Sequence, residues 1–495
     1  MIMILDKHEV PEFHLPPEDF YFLASENHIY DYASLYSFTN RLHDELKDYT
    51  FSVNKPLLII SDSSDELAFL IAGAFLLKIP FFILHPDSSD LDIRQALESV
   101  DPPIYYSDQP KRFSRMIGKP HLAITQDWLS DEAPANPTLF SLDKPELVAG
   151  LFLTSGSTST PKIVPIKRRQ IFYAAHSSAQ NFKPQKNHYW LLCLPLNHIG
   201  GISVILRSIL YHSAIFRMNR FELDGVRTFL SENRLFEVAS LVPTMLSRIL
   251  EDPVFQIHSG FKAILLGGGP ISPVLINNAV MRGVPIVSSY GMTETCAQIA
   301  ANAMLNPSGT YPPKASVGTV FPPNQIQIRD DDGKPLPPIE KGRIWLKGPQ
   351  VFDGYLNKKL NKDMFDSDGW FNTGDYGHLN RNRHLFIENR RSDLIITGGE
   401  NVNPLHVELV LNRYDEISES AVIGIPDPNW GQRVVAYIVL NNQFFNTKKL
   451  RTELKQQLRG FQIPKEFIEV EELPKTPLGK IKRNELIRIY EQTGR

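Results

Sequence analysis

The chain has 495 residues, of which 42% are hydrophobic and 22% charged, with 52 basic and 55 acidic side chains. This near balance of charge excludes the basic field that nucleic-acid binding requires, and the length allows roughly three domains or two large ones. Cys193 and Cys296 lie far apart without metal-ligand spacing, which favours a reducing, cytoplasmic location. We expect no stable membrane insertion, because Lys78 and Pro80 interrupt the most apolar stretch, residues 67–84.

The N-terminal part of the chain alternates predicted helices with short apolar strands. Helices are predicted over residues 34–49 and 66–77, and strands over 56–61 and 80–84. This βαβ rhythm is typical of a layered α/β fold with a parallel sheet. Residues 101–145, rich in proline and charge, are predicted to be connecting structure.

The rest of the chain continues the alternation and then changes character. Helices and strands alternate over residues 171–250, whereas short alternating runs after Gly283 predict mostly β structure. A separate α+β pattern follows near the end, with a helix at 404–412 and strands at 421–425 and 434–440. We therefore predict two domains: a large N-terminal α/β domain with layered sheets and a β subdomain, residues 1–391, and a small α+β domain, residues 392–495.

A loop of small and hydroxylated residues follows the apolar run 147–153 and ends in Lys162. Small side chains let backbone N–H groups approach an oxyanion, hydroxyl groups add donors, and the lysine supplies a positive charge. The loop is not a Walker A motif, because Pro161 precedes the lysine and Ile163 follows it. On composition alone, a flexible surface turn is the alternative. The predicted phosphate-binding residues are Thr154, Ser155, Gly156, Ser157, Thr158 and Lys162.

Five further motifs follow this loop in chain order. They are Gly267-Gly-Gly-Pro270, Tyr290-Gly-Met-Thr-Glu-Thr295, Gly369-Trp-Phe-Asn-Thr-Gly-Asp375, the segment from Asn389 to Glu400, and Pro474-Lys-Thr-Pro-Leu-Gly-Lys480. In this order and spacing, the series resembles the core motifs of the acyl-adenylate-forming superfamily: acyl-CoA synthetases, adenylation domains of peptide synthetases, and luciferases. Within the superfamily, residues 290–298 and 390–403 are most similar to the o-succinylbenzoate–CoA ligases of menaquinone biosynthesis.

The resemblance implies an enzyme with a large N-terminal domain and a mobile C-terminal domain. A small carboxylic acid and ATP, with Mg²⁺, would give acyl-AMP and pyrophosphate, and the thiol of coenzyme A would then displace AMP. It implies no nucleic-acid partner and leaves a homo-oligomer open. The alternatives are another aryl- or fatty-acid–CoA ligase, a stand-alone carrier-protein adenylating enzyme, a luciferase-like oxygenase, and an inactive nucleotide-binding regulator.

The resemblance also assigns roles to single residues. Lys480 would reach the α-phosphate and the attacking carboxylate, while Glu294 would bind magnesium and Thr293 would donate to the α-phosphate. These three residues and His198 are the predicted catalytic set. The simplest alternatives are a helix-capping pair for Thr293 and Glu294, a core tyrosine for Tyr290, and a surface ion pair for Asp375 and Arg390. Lys482 and Arg483 are expected to be solvated charges. The remaining assignments are Tyr290 with Gly267, Gly268 and Gly269 for adenine, Asp375 and Arg390 for ribose, Gly398 and Gly399 for the pantetheine tunnel, and Ser392 for the hinge.

The acid pocket has fewer markers. His198, in the segment 194–201, matches the superfamily residue that gates the acyl site. Arg207 interrupts the apolar run 202–210, where a charge is costly unless it is paired or exposed. It could hold a second carboxylate of the substrate, or it lies on a solvated helix face. Two departures from the superfamily pattern bear on ATP binding: Ser159 stands where glycine is usual, and Ile163 where glycine is commonest.

Overall fold

A computed structural model describes most of the chain, in two compact units. The described residues are 10–62, 64–88, 90–129, 139–154, 162–232, 235–269, 271–304, 315–362, 364–390, 395–397, 400–427, 430–441, 446–455, 457–458, 460–476, 479 and 481–493. The first unit is Met1–Ile326 with Leu346–Phe371, and the second is Gln327–Trp345 with Asn372–Arg495. The predicted domain boundary after Arg391 lies outside the described residues and stays a prediction. Within these ranges, no helix has the length and apolar character needed to cross a membrane.

The first unit contains two β-sheets and the helices that cover them. Its strands are β1 Tyr21–Ala24, β2 Ile29–Asp31, β3 Leu57–Ile60, β4 Phe81–Leu84, β5 Tyr105–Ser107, β6 Val148–Thr154, β7 Lys162–Lys167, β8 Tyr189–Leu192, β9 Ala214–Arg217, β10 Phe236–Leu241, β11 Ala263–Leu266, β12 Ile286–Met292, β13 Ala297–Ala301 and β14 Thr319–Val320. Its helices are α1 Tyr32–Leu46, α2 Asp65–Leu76, α3 Asp90–Ser99, α4 Pro110–Ile117, α5 Arg168–Phe182, α6 Ile199–Tyr211, α7 Leu223–Glu232, α8 Pro243–Leu250 and α9 Pro273–Met281.

The larger sheet has the strand order β14-β13-β12-β11-β10-β8-β9-β1-β2. Its strands from β12 to β1 run parallel, and antiparallel strands complete both edges. Every residue of β10 and β11 is buried, as expected for central strands that helices cover on both faces. Because parallel strands end together, the segments that follow β8, β10, β11 and β12 emerge at one edge of this sheet.

The smaller sheet has the order β5-β3-β4-β6-β7, parallel except for the β6–β7 hairpin. Strand β5 and helix α4 lie within residues 101–145, so the prediction of connecting structure there was wrong. All three residues of β5 are buried beside β3, and Phe113 and Ile117 of α4 are buried as well. Sheet pairing and apolar burial outweighed the local signal of proline and charge.

Helices join the two sheets of the first unit. In α2 all residues except Glu66 are buried, which is typical of a helix enclosed on every side. Ser64 accepts a hydrogen bond from the N–H of Leu67 and so caps the first turn of α2. Helix α2 contacts α6, and α6 also contacts α5. The apolar faces of these helices therefore close the space between the sheets.

The second unit carries the remaining elements, and β15, β16 and β17 run across its borders in the chain. One sheet has the order β15-β16-β17-β18; the other has the order β20-β19-β22-β21, with β23 beside β22. The predicted α/β class, with a smaller α+β C-terminal part, is confirmed. The elements are β15 Gln325–Arg329, β16 Gly342–Lys347, β17 Phe371–Leu379, β18 Leu385–Arg390, β19 Ile395–Thr397, β20 Glu400–Val402, β21 Ile417–Asp427, β22 Gly431–Leu440, β23 Glu466–Glu469, α10 Pro404–Leu411, α11 Thr447–Leu454 and α12 Arg483–Gln492.

Candidate active site

The β6–β7 hairpin holds both ends of the predicted phosphate loop. Thr154, the last residue of β6, pairs with Lys162, the first residue of β7, and the Thr154 hydroxyl donates to the Lys162 carbonyl at 3.4 Å. Ile163 is buried in β7, so it belongs to the sheet rather than to the loop. The loop starts at the carboxyl end of a parallel strand, where α/β proteins commonly bind ligands. The predicted residues Ser155, Gly156, Ser157 and Thr158, and with them Ser159, lie outside the described residues.

A buried tyrosine connects two of the predicted site residues, Lys162 and Glu294. The Nζ of Lys162 lies 5.2 Å from the centroid of the Tyr355 ring. The Tyr355 hydroxyl donates to the Oε1 of Glu294 at 2.7 Å. A cation over a ring face and a hydroxyl bound to a carboxylate are both attractive, so the tyrosine holds both charged groups in place. Sequence analysis missed Tyr355, although an aromatic residue directly after Gly354 is a signal that could have been noticed.

Glu294 is also fixed by its backbone. It lies in a short 3-10 helix, Thr293–Thr295, that follows β12 directly. The N–H of Phe352 donates to the Glu294 carbonyl at 2.8 Å, and the side-chain amide of Gln350 donates to the Thr295 carbonyl at 2.8 Å. The segment 350–355 therefore packs along this turn. Thr293, the first residue of this turn, is half-buried.

The predicted adenine-binding residues lie on two neighbouring parallel strands. Gly267, Gly268 and Gly269 follow β11, and Tyr290 lies near the end of β12. A Cβ at Gly267 would come within 2.8 Å of the Ser289 hydroxyl, and Gly268 has a φ of +78°. Steric contact at Gly267 and the positive φ at Gly268 therefore favour glycine, and the absence of side chains leaves the backbone accessible beside Tyr290. The structure places the four residues on neighbouring strands, and their binding of adenine stays a prediction.

His198 lies where β8 turns into helix α6. It adopts an extended backbone conformation directly before the first residue of the helix. A Cβ at Gly201 would approach the Pro195 carbonyl oxygen to 2.4 Å, so this turn requires glycine. Burial lowers the pKa of the His198 imidazole, and the positive charge of nearby His85 lowers it further. His198 is therefore neutral at neutral pH.

Arg207 is buried within helix α6, with 4% of its surface exposed, so the interpretation of a solvated helix face was wrong. It donates to the Ser203 carbonyl at 2.8 Å, the Ser203 hydroxyl at 2.6 Å and the Ser178 hydroxyl at 3.0 Å. Its guanidinium also lies 4.9 Å from the centroid of the Trp190 ring. Among the described residues, no carboxylate forms an ion pair with it. Burial lowers the pKa of this guanidinium, and an incoming anion would favour its charged form.

A small cavity lies against Arg207, with about 10 Å³ accessible to the centre of a water-sized sphere. Both amide atoms of Gln298, which lines this cavity, are buried without a hydrogen-bond partner among the described residues. Burial raises the pKa of the Cys296 thiol to about 12, so that neighbour is neutral. Buried polar atoms are almost always hydrogen-bonded, so this amide could bind a polar group that enters the cavity. The lining residues are Ile171, Ala174, Ile199, Ser203, Leu206, Arg207, Cys296, Ala297 and Gln298.

The remaining predicted residues belong to the second unit. Asp375 in β17 is 4% exposed and pairs with Arg390 of β18 in the antiparallel register. Backbone pairing therefore brings these two residues together, although the side chain of Arg390 is outside the described part of the chain. Their binding of ribose stays a prediction. Ser392, Gly398, Gly399 and Lys480 are also outside the described residues.

Backbone contacts within the segment that precedes α12 join the residues on the two sides of Lys480. Lys475 and Ile481 form an isolated antiparallel bridge, and the N–H of Lys482 donates to the Pro474 carbonyl at 2.8 Å. Arg483 forms an ion pair with Glu408 at 2.6 Å, and its side chain is 15% exposed. The expectation that Arg483 is a solvated charge was therefore wrong. Its sequence neighbourhood is strongly charged, but its partner lies far away in the chain.

Comparisons with known proteins agree over nearly the whole chain. Residues 15–356 match the family model described as AMP-binding enzyme, and residues 406–480 match that of the AMP-binding enzyme C-terminal domain. The 2-succinylbenzoate–CoA ligase of Bacillus licheniformis is 31% identical over 93% of this chain and 95% of its own length. The ligase of the same name from Listeria monocytogenes is 37% identical over 72% of each chain.

Solved structures give the same result. The o-succinylbenzoate CoA synthetase of Bacillus subtilis, in complex with its acyl-adenylate intermediate, aligns with a TM-score of 0.84 and 30% identity, covering 94% of this chain and 95% of that one. The same enzyme in complex with ATP and magnesium ion aligns with a TM-score of 0.83 and 29% identity, covering 94% and 96%. With the family model and these relatives in agreement, the chain belongs to the family of AMP-binding enzymes.

Proposed function

We propose that this chain is an AMP-forming o-succinylbenzoate–CoA ligase of menaquinone biosynthesis. In the first step one carboxylate of the acid attacks the α-phosphorus of ATP, and pyrophosphate leaves. In the second step the thiol of coenzyme A attacks the acyl carbon, and AMP leaves with the electrons of the broken bond. The observation that carries the proposal is the contact of half-buried Lys162 with Tyr355 and of Tyr355 with Glu294 at the end of the phosphate loop. The chain is also similar to a 2-succinylbenzoate–CoA ligase over nine-tenths of its length.

The first step must bring two anions together. Lys162 and the loop 154–158 would hold the β- and γ-phosphates, and Thr293 would donate to the α-phosphate. Tyr290 and the exposed backbone of Gly267–Gly269 would bind the adenine, with Asp375 and Arg390 at the ribose. Lys480 would offset the negative charge that builds up between the carboxylate and the α-phosphate. An effective dielectric constant near 20 gives about 5 kcal/mol for such a charge pair at roughly 3 Å.

The residues present fit a magnesium ion. Among the described residues, no group of three His, Cys, Asp or Glu side chains could hold a metal by itself. Mg²⁺ in nucleotide sites is usually held by one or two carboxylates together with phosphate oxygens, so a lone carboxylate is suitable. Glu294 offers one, and its hydrogen bond from Tyr355 fixes the orientation of the carboxylate group. When bound, the ion would neutralise part of the phosphate charge.

The second step requires the thiol of coenzyme A to reach the acyl-AMP. Gly398 and Gly399 would line the path of the pantetheine, since a narrow chain passes most closely along a backbone without Cβ. Lys480 and these glycines all belong to the small domain, and the proposed function uses them in different steps. A rotation at Ser392 would exchange them. We also propose a cytoplasmic location, in line with two free, buried cysteines.

The acid would occupy the space between His198 and Arg207. o-Succinylbenzoate carries a second carboxylate that the first step does not consume. Arg207 has two N–H groups beyond the three that donate to Ser203 and Ser178, and the Gln298 amide offers another donor. We propose that these groups bind the second carboxylate, for which the cavity must widen. His198 would form the wall at the aryl end.

The test is AMP release from ATP and coenzyme A across a panel of acids: o-succinylbenzoate, benzoate, a succinylated alkyl acid and a medium-chain fatty acid. The highest kcat/KM is expected with o-succinylbenzoate, and omission of coenzyme A should leave pyrophosphate release without thioester. A higher kcat/KM with benzoate or with the fatty acid would show that o-succinylbenzoate is not the preferred substrate. If the chain binds ATP but no acid of the panel leads to pyrophosphate release, the chain is a nucleotide-binding regulator.

A further inference from the structure

A buried ion pair in the second unit joins helix α10 to the first turn of α12. The Nη2 of Arg483 donates to both carboxylate oxygens of Glu408, at 2.6 and 2.7 Å. The side chains of Arg483 and Glu408 are only 15% and 7% exposed. A charged hydrogen bond of this kind is stronger than a neutral one and fixes the direction of both groups.

The same pair binds the open edge of strand β21. This strand pairs with β22 on one side, and among the described residues no strand pairs with its other side. On that open side, the N–H of Val422 donates to Glu408 at 2.7 Å, and the Nε of Arg483 donates to the Val422 carbonyl at 3.3 Å. Backbone groups at a sheet edge need partners, and the ion pair supplies both for Val422.

A buried ion pair between two helices carries an unfavourable free energy of desolvation. Removing both charges from water is unfavourable, and well-packed apolar residues often stabilise a fold equally well. Hydrogen bonds differ from apolar contacts because they specify one relative position. The pair fixes the start of α12 at Val422 of β21, whereas apolar packing alone would allow α12 to shift along the strand.

Arg483 follows Lys480 by three residues. The bridge between Lys475 and Ile481 and the hydrogen bond from Lys482 to Pro474 hold the same segment. We infer that Glu408 and Arg483 are positioning residues for Lys480: they fix the backbone from which this lysine reaches the reacting phosphate. The inference rests on the proposed function, in which Lys480 acts only in the first step.

Two variants and a matched control test this inference. Arg483→Met and Glu408→Gln disrupt the pair, whereas Val407→Ala removes apolar contacts next to Glu408 on the same helix, where Val407 is fully buried. Pyrophosphate release should fall about 10- to 100-fold in the first two variants, because small misplacements of a catalytic group have effects of this size. Thioester formation from supplied acyl-AMP should stay within about twofold of the unmodified enzyme. Val407→Ala, at a comparable loss in Tm, should change neither step by more than about threefold.

A second measurement does not depend on the acid. Hydrogen exchange of the backbone in residues 475–483 should become faster in Arg483→Met than in Val407→Ala, because only the former releases the start of α12. Equal exchange in the two variants would overturn the inference. So would equal losses of both half-reactions in the pair variants. Failure of the unmodified enzyme to activate any acid would instead count against the proposed function, and the exchange result would still decide whether the pair holds this segment.

Discussion

The nucleotide side and the acid side of the first unit are built in different ways. On the nucleotide side, the candidate groups are backbone atoms and side chains at the ends of strands β6, β11 and β12. Close packing restricts some of these positions, such as Gly291, to glycine. A Cβ at Gly291 would lie 1.9 Å from the Ala297 carbonyl oxygen. On the acid side, the candidate groups are Arg207 and Gln298, which line the same cavity. Arg207 belongs to helix α6 and Gln298 to strand β13, far from it in the chain. Under the proposed function, the chemistry common to all acids would rest mainly on short motifs, whereas the choice of acid would rest on tertiary packing.

The comparison predicts that nucleotide-side and Lys480 variants affect all acids alike. The largest effect is expected for Lys480→Ala, which removes the charge that offsets the developing negative charge. Acid-dependent pyrophosphate release should fall by about 10²- to 10³-fold. Supplied acyl-AMP should still be converted to the thioester. Equal loss in both half-reactions would remove Lys480 from the role proposed here.

Ser392→Pro should impair the second step and spare the first, which is the opposite of the result expected for Lys480→Ala. Proline fixes φ near −65° and also restricts the residue before it, so a backbone rotation at this position would be blocked. We expect acyl-AMP formation to persist and thioester formation to fall by about 10²-fold, for every acid that is activated. Single-turnover measurement of each step would decide the matter. Normal thioester formation would show that the exchange between steps does not use Ser392.

Arg207→Leu should sharpen the comparison on the acid side. Loss of a charged hydrogen bond to the second carboxylate should lower kcat/KM for o-succinylbenzoate by about 2 to 3 kcal/mol, or roughly 30- to 160-fold. Benzoate-type acids without that carboxylate serve as the internal control, because any folding defect in the variant affects both substrates equally. If all acids lose equally, or none does, Arg207 has a structural role only.

Tyr355→Phe should have the smallest effect. It keeps the ring over Lys162 but removes the hydroxyl that donates to Glu294. A neutral hydroxyl bound to a carboxylate contributes about 1 kcal/mol, so kcat/KM should fall by roughly 2- to 10-fold. The same factor is expected for every acid, together with a higher magnesium concentration at half-maximal rate. An unchanged magnesium titration would indicate that the tyrosine does not orient Glu294.

The reliability of the sequence predictions depends on whether the partners of a residue lie near it in the chain. Lys162, Glu294 and the glycines after β11 could be predicted because each belongs to a short motif whose residues act together. Tyr355 was missed because its partner Glu294 lies 61 residues earlier in the chain. Arg483 was assigned to solvent for a similar reason, since Glu408 lies 75 residues away. Strand β5 was missed because its three residues gain their structure from β3 rather than from their own pattern.

The division of the chain into two compact units also determines how the protein can be dissected. The second unit takes residues 327–345 from the middle of the chain and then everything from residue 372 onward. The polypeptide therefore passes between the units three times, at residues 326–327, 345–346 and 371–372. Cleavage of one peptide bond cannot release either unit as a continuous fragment. A truncated chain that ends before residue 327 would lose the segment 346–371, and with it Tyr355, the hydrogen-bond donor to Glu294.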